Sequence, residues 1–373
     1  MKSHLLGALS GCAMLLAGCA MTADAGSAPA TAPATTPAVG DPAAVPGRGY
    51  LAQPLVRDLF FADPSAHVFN GKLYIYPSHD IDTGVPDDDL GSQYAMRDYH
   101  VLSMDRPGGP VTVHPVALDV AQVPWASARM WAPDAAYKNG TYYLYFPAHD
   151  RDGVFRIGVA TSQSPTGPFT PEAEPIRGSF SIDPSVFTDT DGGSYMYFGG
   201  IWGGQLQRWQ GNRYDASVGD TDLRQDDRPA IAPRVARMTP DMKQFAEAPR
   251  EIQLLDQSGQ PILGGDHERR FFEAAWTFKR GGKYYFTYST GDTHRIAYAI
   301  GDSPYGPFRF TGFVLEPVQG WTNHHSIVEW DGRWWLFYHD TQLSQRNHLR
   351  SAKMTELRFN ADGTIQTVNP FRN

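Results

Sequence analysis

From Tyr50 to the C-terminus the chain alternates apolar and polar residues with a period of two, and almost nowhere do apolar residues recur every three or four positions. That period belongs to strands, whose successive side chains point to opposite faces of a sheet. One unit recurs within the region: an acidic or polar anchor, a few apolar residues, a Gly-centred turn, then an aromatic strand. Five copies stand out. They run from Asp63-Pro64-Ser65 to Asn70-Gly71 and Lys72–Tyr76; from Trp131-Ala132-Pro133-Asp134 to Asn139-Gly140 and Thr141–Tyr145; from Asp183-Pro184-Ser185 to Gly192-Gly193 and Ser194–Tyr197; from Phe272-Glu273-Ala274 to Gly281-Gly282 and Lys283–Phe286; and from Asn323-His324-His325-Ser326 to Asp331-Gly332 and Arg333–Phe337. Each reads as a β-hairpin whose Asn-Gly, Asp-Gly or Gly-Gly pair supplies the positive φ angles of a tight turn. A second echo, Ser164-Pro165-Thr166-Gly167-Pro168-Phe169 and Ser303-Pro304-Tyr305-Gly306-Pro307-Phe308, marks the end of the same unit twice. Long repeats built of strands alone predict an all-β fold, a five-bladed β-propeller rather than a two-sheet sandwich.

Ahead of the repeats the pattern disappears. Ala20 to Gly49 is Ala, Pro, Thr and Gly with hardly a large apolar side chain, too little to offset the entropy of ordering, so residues 20–50 read as a tether. Before it, Lys2 and the apolar run Leu5–Leu16 read as an export signal, too short to span a bilayer. Leu16-Ala17-Gly18-Cys19 resembles a bacterial lipoprotein signal, which implies cleavage before Cys19 and a lipid on its thiol. An ordinary secretory signal cut after Ala20 or further on is the alternative. Residues 1–19 are thus expected to be a signal and 51–373 the propeller, with the mature protein an outer-membrane lipoprotein or periplasmic, touching a membrane only through its anchor. Cys12 and Cys19 are the chain's two cysteines, so the folded region has no disulfide framework. A net charge of −8 without a long Lys or Arg run argues against a nucleic-acid partner and favours a small, uncharged ligand.

In a propeller the innermost strands lead to the axis, so equivalent points of the five repeats converge on one funnel. Three of those points carry carboxyls in apolar surroundings: Asp63 after Phe60-Phe61-Ala62, Asp183 after Phe180-Ser181-Ile182, and Glu273 after Phe271-Phe272. Apolar surroundings and a neighbouring carboxylate both raise a carboxyl pKa, which is how a general acid is made. Pro64 and Pro184 bias the preceding aspartates toward extended backbone. An Asp-Pro-Ser that merely caps a turn is the plainer alternative, weakened by its recurrence at matching repeat positions.

Taken together, Ala62-Asp63-Pro64, Trp131-Ala132-Pro133-Asp134, Ile182-Asp183-Pro184-Ser185, Phe272-Glu273-Ala274 and Asn323-His324-His325-Ser326 resemble glycoside hydrolase family 43 over roughly Leu55 to Pro370. That family comprises β-xylosidases, α-L-arabinofuranosidases and arabinanases. The resemblance implies an inverting mechanism in which Asp63 is the general base, Glu273 the general acid and Asp183 the residue that orients Glu273 and tunes its pKa, with base and acid roughly 6.5–9.5 Å apart. Ala274 departs mildly from the Gly or Pro that the family usually has after the Glu. Trp131 looks like the family's substrate-stacking aromatic, with a blade-packing Trp as the alternative. Arg350 resembles an Arg that contacts the terminal sugar, and Arg346 competes for that role. His324 matches a substrate-site His near the axis that is often found beside calcium or a water cluster; because calcium prefers oxygen ligands, waters would complete its shell. No cofactor is required, and a structural Ca²⁺ at the axis is the one metal the resemblance leaves room for. The run Ser78-His79-Asp80 with Asp82, Asp87, Asp88 and Asp89 reads as a solvated rim closing one side of the pocket.

The expected partner is therefore a pentose-containing oligosaccharide. β-Xylosidase stands first, α-L-arabinofuranosidase second, and endo-acting arabinanase behind them, since the stretches between Ile81 and Val101 and between Asn212 and Gly264 look able to wall off a groove. A non-catalytic sugar-binding propeller is the rival from another class, and the presence of all three acids speaks against it. A retaining fructan enzyme would want Asp-Pro-Asn-Gly where Asp63-Pro64-Ser65-Ala66 stands.

Overall fold

The computed structural model describes residues 49–219, 226–291 and 293–372. The signal, Cys19 and all but the last residues of the tether lie outside them. Five antiparallel blades follow one another along the chain, with inner strands Phe60–Phe69, Asp134–Lys138, Ser185–Thr188, Phe271–Arg280 and His325–Trp330. Each inner strand pairs with the next in sequence, and the following strands step outward in order. The fourth blade gains an extra edge strand, Leu254–Leu255, which runs parallel to Phe308–Leu315. At the ends of the described body Gly49–Tyr50 pairs with Phe371–Arg372, so the first and last strands hold each other.

Turn chemistry produces four of the five inner hairpins as the sequence predicts. Asn70-Gly71, Asn139-Gly140, Gly281-Gly282 and Asp331-Gly332 all take positive φ at both positions between directly paired strand ends, the backbone that a two-residue turn needs to match strand twist. The third differs. Thr188 pairs with Ser194, so Asp189 to Gly193 form a longer loop in which Gly192, not the Gly192-Gly193 pair, takes positive φ. Its extra residues bring the Asp189 carboxylate to Lys279 at 2.7 Å and to the Tyr284 hydroxyl, both on the neighbouring blade.

The anchors of the five repeats tie each blade to the next around the axis. Ser65 of the first blade donates to Asp134 Oδ1 of the second, and the Val186 N–H of the third donates to Asp134 Oδ2 at 2.5 Å. The Ala274 N–H of the fourth donates to Asp183 Oδ2 at 2.8 Å, and the Trp276 indole N–H donates to the Ile327 carbonyl of the fifth at 3.0 Å. The ring closes where the Ala66 N–H donates to Ser326 Oγ at 3.0 Å and that hydroxyl donates to the Pro64 carbonyl at 2.6 Å. Further out, the repeated Ser-Pro segments play one role twice: Tyr76 donates to the Pro165 carbonyl and Tyr197 to the Pro304 carbonyl, each at 2.7 Å. Between the blades lie sheets of buried aromatics, among them Tyr145, Phe146, Tyr197, Phe198, Phe286, Tyr288, Phe337 and Tyr338, all at most 1% exposed. Burial of side chains that size contributes roughly 1.5–3 kcal/mol each and holds the axis geometry rigid.

Candidate active site

The axis opens into a pocket lined by Asp63, Asp183, Glu273, His324 and Arg350, with Trp131, Tyr94, Trp202, Phe272 and Trp321 among its walls. All six residues singled out from the sequence meet there, although their side chains come from all five blades and the connections between them.

Asp63 sits where the first inner strand loses register, between the Ala62↔Ser78 and Ser65↔Tyr76 pairs. A bulge of this kind bends a strand and re-aims one side chain. The expectation of extended backbone before Pro64 and Pro184 fails at both sites: Asp63 has φ +47° and Asp183 φ +57°. Asp is among the few residues that visit this region, and tertiary bonds over-determine the geometry. The Asp63 N–H donates to His339 Nδ1 at 3.0 Å, which leaves the proton of that ring on Nε2, beside Thr322 Oγ1 at 3.0 Å and the Thr322 carbonyl at 3.2 Å. Asp183 is held instead through its carboxylate, whose Oδ2 accepts from the Ala274 N–H at 2.8 Å. Ala274 itself has φ +62°, which explains why a glycine would suit the position after the acid.

The surroundings of the acids are unlike. Asp63 is 5% exposed, and its carboxylate accepts from Arg350 at 2.9 and 3.2 Å and from the Ser78 hydroxyl at 2.5 Å. Burial alone would raise its pKa, but Arg350, helped by His339, His324 and Ser78, outweighs that and holds it down to about 2. Glu273 has no charged partner and makes no hydrogen bond among the described residues. Burial, and then the negative charge of Asp63, push its carboxyl up to about 8 against the pull of Arg350. For Asp183, burial, then Glu273, then Asp63 drive the pKa well above the carboxylate range. Repulsion between Asp183 and Glu273 is reciprocal, so the pair keeps a proton through neutral pH. The approach of these residues depends on Gly200, where an added Cβ would stand 2.5 Å from Ile182 Cδ1 and 3.3 Å from the Glu273 Cβ.

His324 points between the other two acids, its Nδ1 3.6 Å from Asp63 Oδ1 and 3.7 Å from Asp183 Oδ2. Burial lowers its pKa to about 4, despite the opposing pull of Asp63, so the ring is neutral. Trp131 is wall and packing at once. Its indole N–H donates to the Tyr94 carbonyl at 2.8 Å and its ring lies 4.8 Å from Phe155, which leaves 8% of the residue exposed. On another side Trp202, Phe272 and Trp321 cluster at 5.6–5.9 Å and present further flat apolar surface.

Arg350 lines the pocket, and its donors are engaged by the protein. Nε and Nη2 donate to Asp80, Nη1 and Nη2 to Asp63, and Nη1 also to Thr322 Oγ1 at 3.1 Å, which uses all five N–H groups. Its competitor Arg346 pairs with Asp82 at the exposed rim. The acidic run after Ser78 divides likewise: Asp82 and Asp87 are exposed rim residues, whereas Ser78 and Asp80 are buried behind Asp63. Of the two stretches expected to wall the pocket, the first supplies Asp89, Gly91, Tyr94 and Met96. Among the described residues the second supplies none; it forms outer strands of the third blade, Arg234–Arg237 and Arg250–Glu251, and the wall comes instead from Ile201 to Gly204.

The family model for glycosyl hydrolases family 43 matches residues 56–365. Xylosidase/arabinosidase 43A of Humicola insolens is 59% identical over 324 residues, 85% of this chain and 99% of that protein. A beta-xylosidase of Xylanibacter ruminicola is 52% identical over 314 residues, 83% of this chain and 97% of that one. Among solved structures, a beta-xylosidase/alpha-arabinofuranosidase from a compost microbial metagenome, in complex with xylotriose in a calcium-free form, superposes with a TM-score of 0.85 at 62% identity, covering 87% of this chain and 99% of its own.

Proposed function

The chain belongs to glycosyl hydrolase family 43, and from that premise we propose that it is an inverting, exo-acting β-xylosidase that releases xylose from hemicellulose-derived oligosaccharides, with α-L-arabinofuranosidase activity as the second reading. One observation carries the mechanism: of the carboxyls in one pocket, Asp63 is clamped by Arg350, while Glu273 has no ion-pair partner among the described residues and is pushed toward its protonated form by burial. A base ionised above pH about 2 and an acid protonated below about 8 are together in the right state across the range between. In this reading Asp63 takes a proton from a water on one face of the sugar, water oxygen bonds to the anomeric carbon, and Glu273 gives its proton to the departing glycosidic oxygen. Asp183, held by the Ala274 N–H, orients Glu273, whose proton burial and the charge of Asp63 keep in place. The walls at Asp89 to Met96, Ile201 to Gly204 and Trp321 favour a pocket that takes a chain end over a through-going groove. Arabinofuranosidase stands second because relatives of high identity carry both names.

The test is hydrolysis of aryl β-xyloside beside aryl α-arabinofuranoside, followed by early NMR of the released sugar from xylo-oligosaccharides. Xyloside preference and an inverted first-formed anomer are expected. A retained anomer overturns the mechanism, and preference for the furanoside reverses the order of the two activities.

A calcium ion near His324 is part of the proposal only in hydrated form. The two carboxylate oxygens within 4 Å of His324 Nδ1, Asp63 Oδ1 and Asp183 Oδ2, are already engaged by Arg350 and the Ala274 N–H, so the donor set around that nitrogen suits an ion reached through water rather than directly ligated. Such an ion would supply positive potential at the pocket floor. Exhaustive chelation should lower kcat without unfolding the blades, which their own aromatic cores hold; full activity with no metal by elemental analysis removes calcium from the account.

A further inference from the structure

Two carboxylates, not one, hold the arginine that clamps Asp63. Arg350 donates from Nε and Nη2 to Asp80 at 2.9 and 2.8 Å, and its own backbone N–H donates to Asp80 Oδ2 at 2.8 Å. Its other edge meets Asp63, and the Tyr94 ring covers its face at 4.6 Å. All three charged residues are at most 5% exposed. Asp80 lies two residues after Ser78 on the strand Lys72–Asp80, so strand alternation sets both on one face, behind the base.

We infer that Asp80 is a positioning residue for hydrolysis: it shares the charge of Arg350 and fixes the guanidinium fork, so that Asp63 is aimed at the pocket without being fully neutralised. A buried Arg facing a single carboxylate in a forked pair is among the strongest polar contacts in a protein, and a base locked in it has little tendency to accept a proton. With Asp80 the trio carries one net negative charge; without it, none. The inference rests on the roles proposed for Asp63 and Glu273. A purely structural Asp80, present only to neutralise a buried cation, would leave kcat unchanged in a charge-keeping variant that folds.

The experiment compares Asp80→Asn, which keeps size and removes charge, with Asp80→Glu, which keeps charge and moves it. Buried carboxylic acids are titrated by difference infrared spectroscopy in the absence of substrate, and kcat and KM are measured against pH on an aryl pentoside. In Asp80→Asn the field of Arg350 at Glu273 is no longer offset, so the carboxylic-acid titration and the alkaline limb of activity should both move to lower pH by roughly one unit, the scale of one nearby charge. Its kcat should fall about tenfold or more, part of the roughly 10²–10⁴ that a general base supplies. In Asp80→Glu the titration should stay in place while kcat falls through the displaced fork. An unshifted titration in Asp80→Asn, or full kcat in Asp80→Glu, overturns the inference. Because the infrared titration uses no substrate, a protein inactive on pentosides would sink the proposed function and leave this charge balance standing or falling by itself.

Discussion

Asp63→Ala is expected to lose turnover on every substrate alike, by about 10²–10⁴-fold or more, because a base that activates water is needed whatever the leaving group. The same change strips Arg350 of one of its two buried partners, and breaking a buried ion pair commonly costs about 3–5 kcal/mol. It also places alanine at φ +47°, a further strain of roughly 1–2 kcal/mol. Asp63→Asn separates chemistry from folding, since Asn tolerates that backbone and fills the same volume; it should lose as much turnover with a smaller fall in Tm. The residual activity should titrate differently too. The negative charge of Asp63 is, after burial, what raises the Glu273 pKa to about 8, so its removal moves the alkaline limb toward acid pH. Turnover within tenfold of wild type in a folded Asp63→Asn would take the base role away from this residue.

The five blades were legible because a hairpin is a local object: Asn-Gly at 70–71 and 139–140 and Asp-Gly at 331–332 dictate their own turns, and alternation does the rest. The third turn misled because Gly192-Gly193 satisfies the same local rule, while the Asp189 carboxylate finds Lys279 and Tyr284 on another blade. The acids were legible through repetition, which set Asp63, Asp183 and Glu273 at equivalent places. Their backbone was not, since the preference of a residue before proline is weaker than a bulge and a bond to His339, remote in sequence. The supports of Asp63 fared worst. Ser78 and Asp80 stand at the head of an acidic run, and composition assigns the whole run to the rim; only the spacing of two within a strand signals that they share a buried face. Arg350 lines the pocket, and sequence cannot show that all five of its donors meet Asp63, Asp80 and Thr322.

Glu273→Ala should divide substrates by their leaving groups. Natural xylo-oligosaccharides depart as alkoxides unless protonated and should lose about 10²–10⁴-fold, whereas a dinitrophenyl xyloside, whose leaving group is stable as an anion, should lose far less. The pH profile supplies a second reading of the same carboxyl. In the wild type, activity should fall as pH rises through about 8, where Glu273 loses its proton; in Glu273→Ala that limb should vanish for the activated substrate. Stability follows the same linkage with its sign fixed. The folded-state pKa of Glu273 lies above its unfolded value, so between roughly 4.5 and 8 the native state binds more protons than the unfolded one and stability declines as pH rises. Removing the carboxyl removes that decline, so the Tm of Glu273→Ala relative to wild type should improve from pH 5 to pH 9 as calorimetry follows it. Equal crippling on activated and natural substrates, or an alkaline limb that survives the mutation, would mean that the departing oxygen takes its proton from another group, with Asp183, which faces the same site and holds a raised pKa, the next to test.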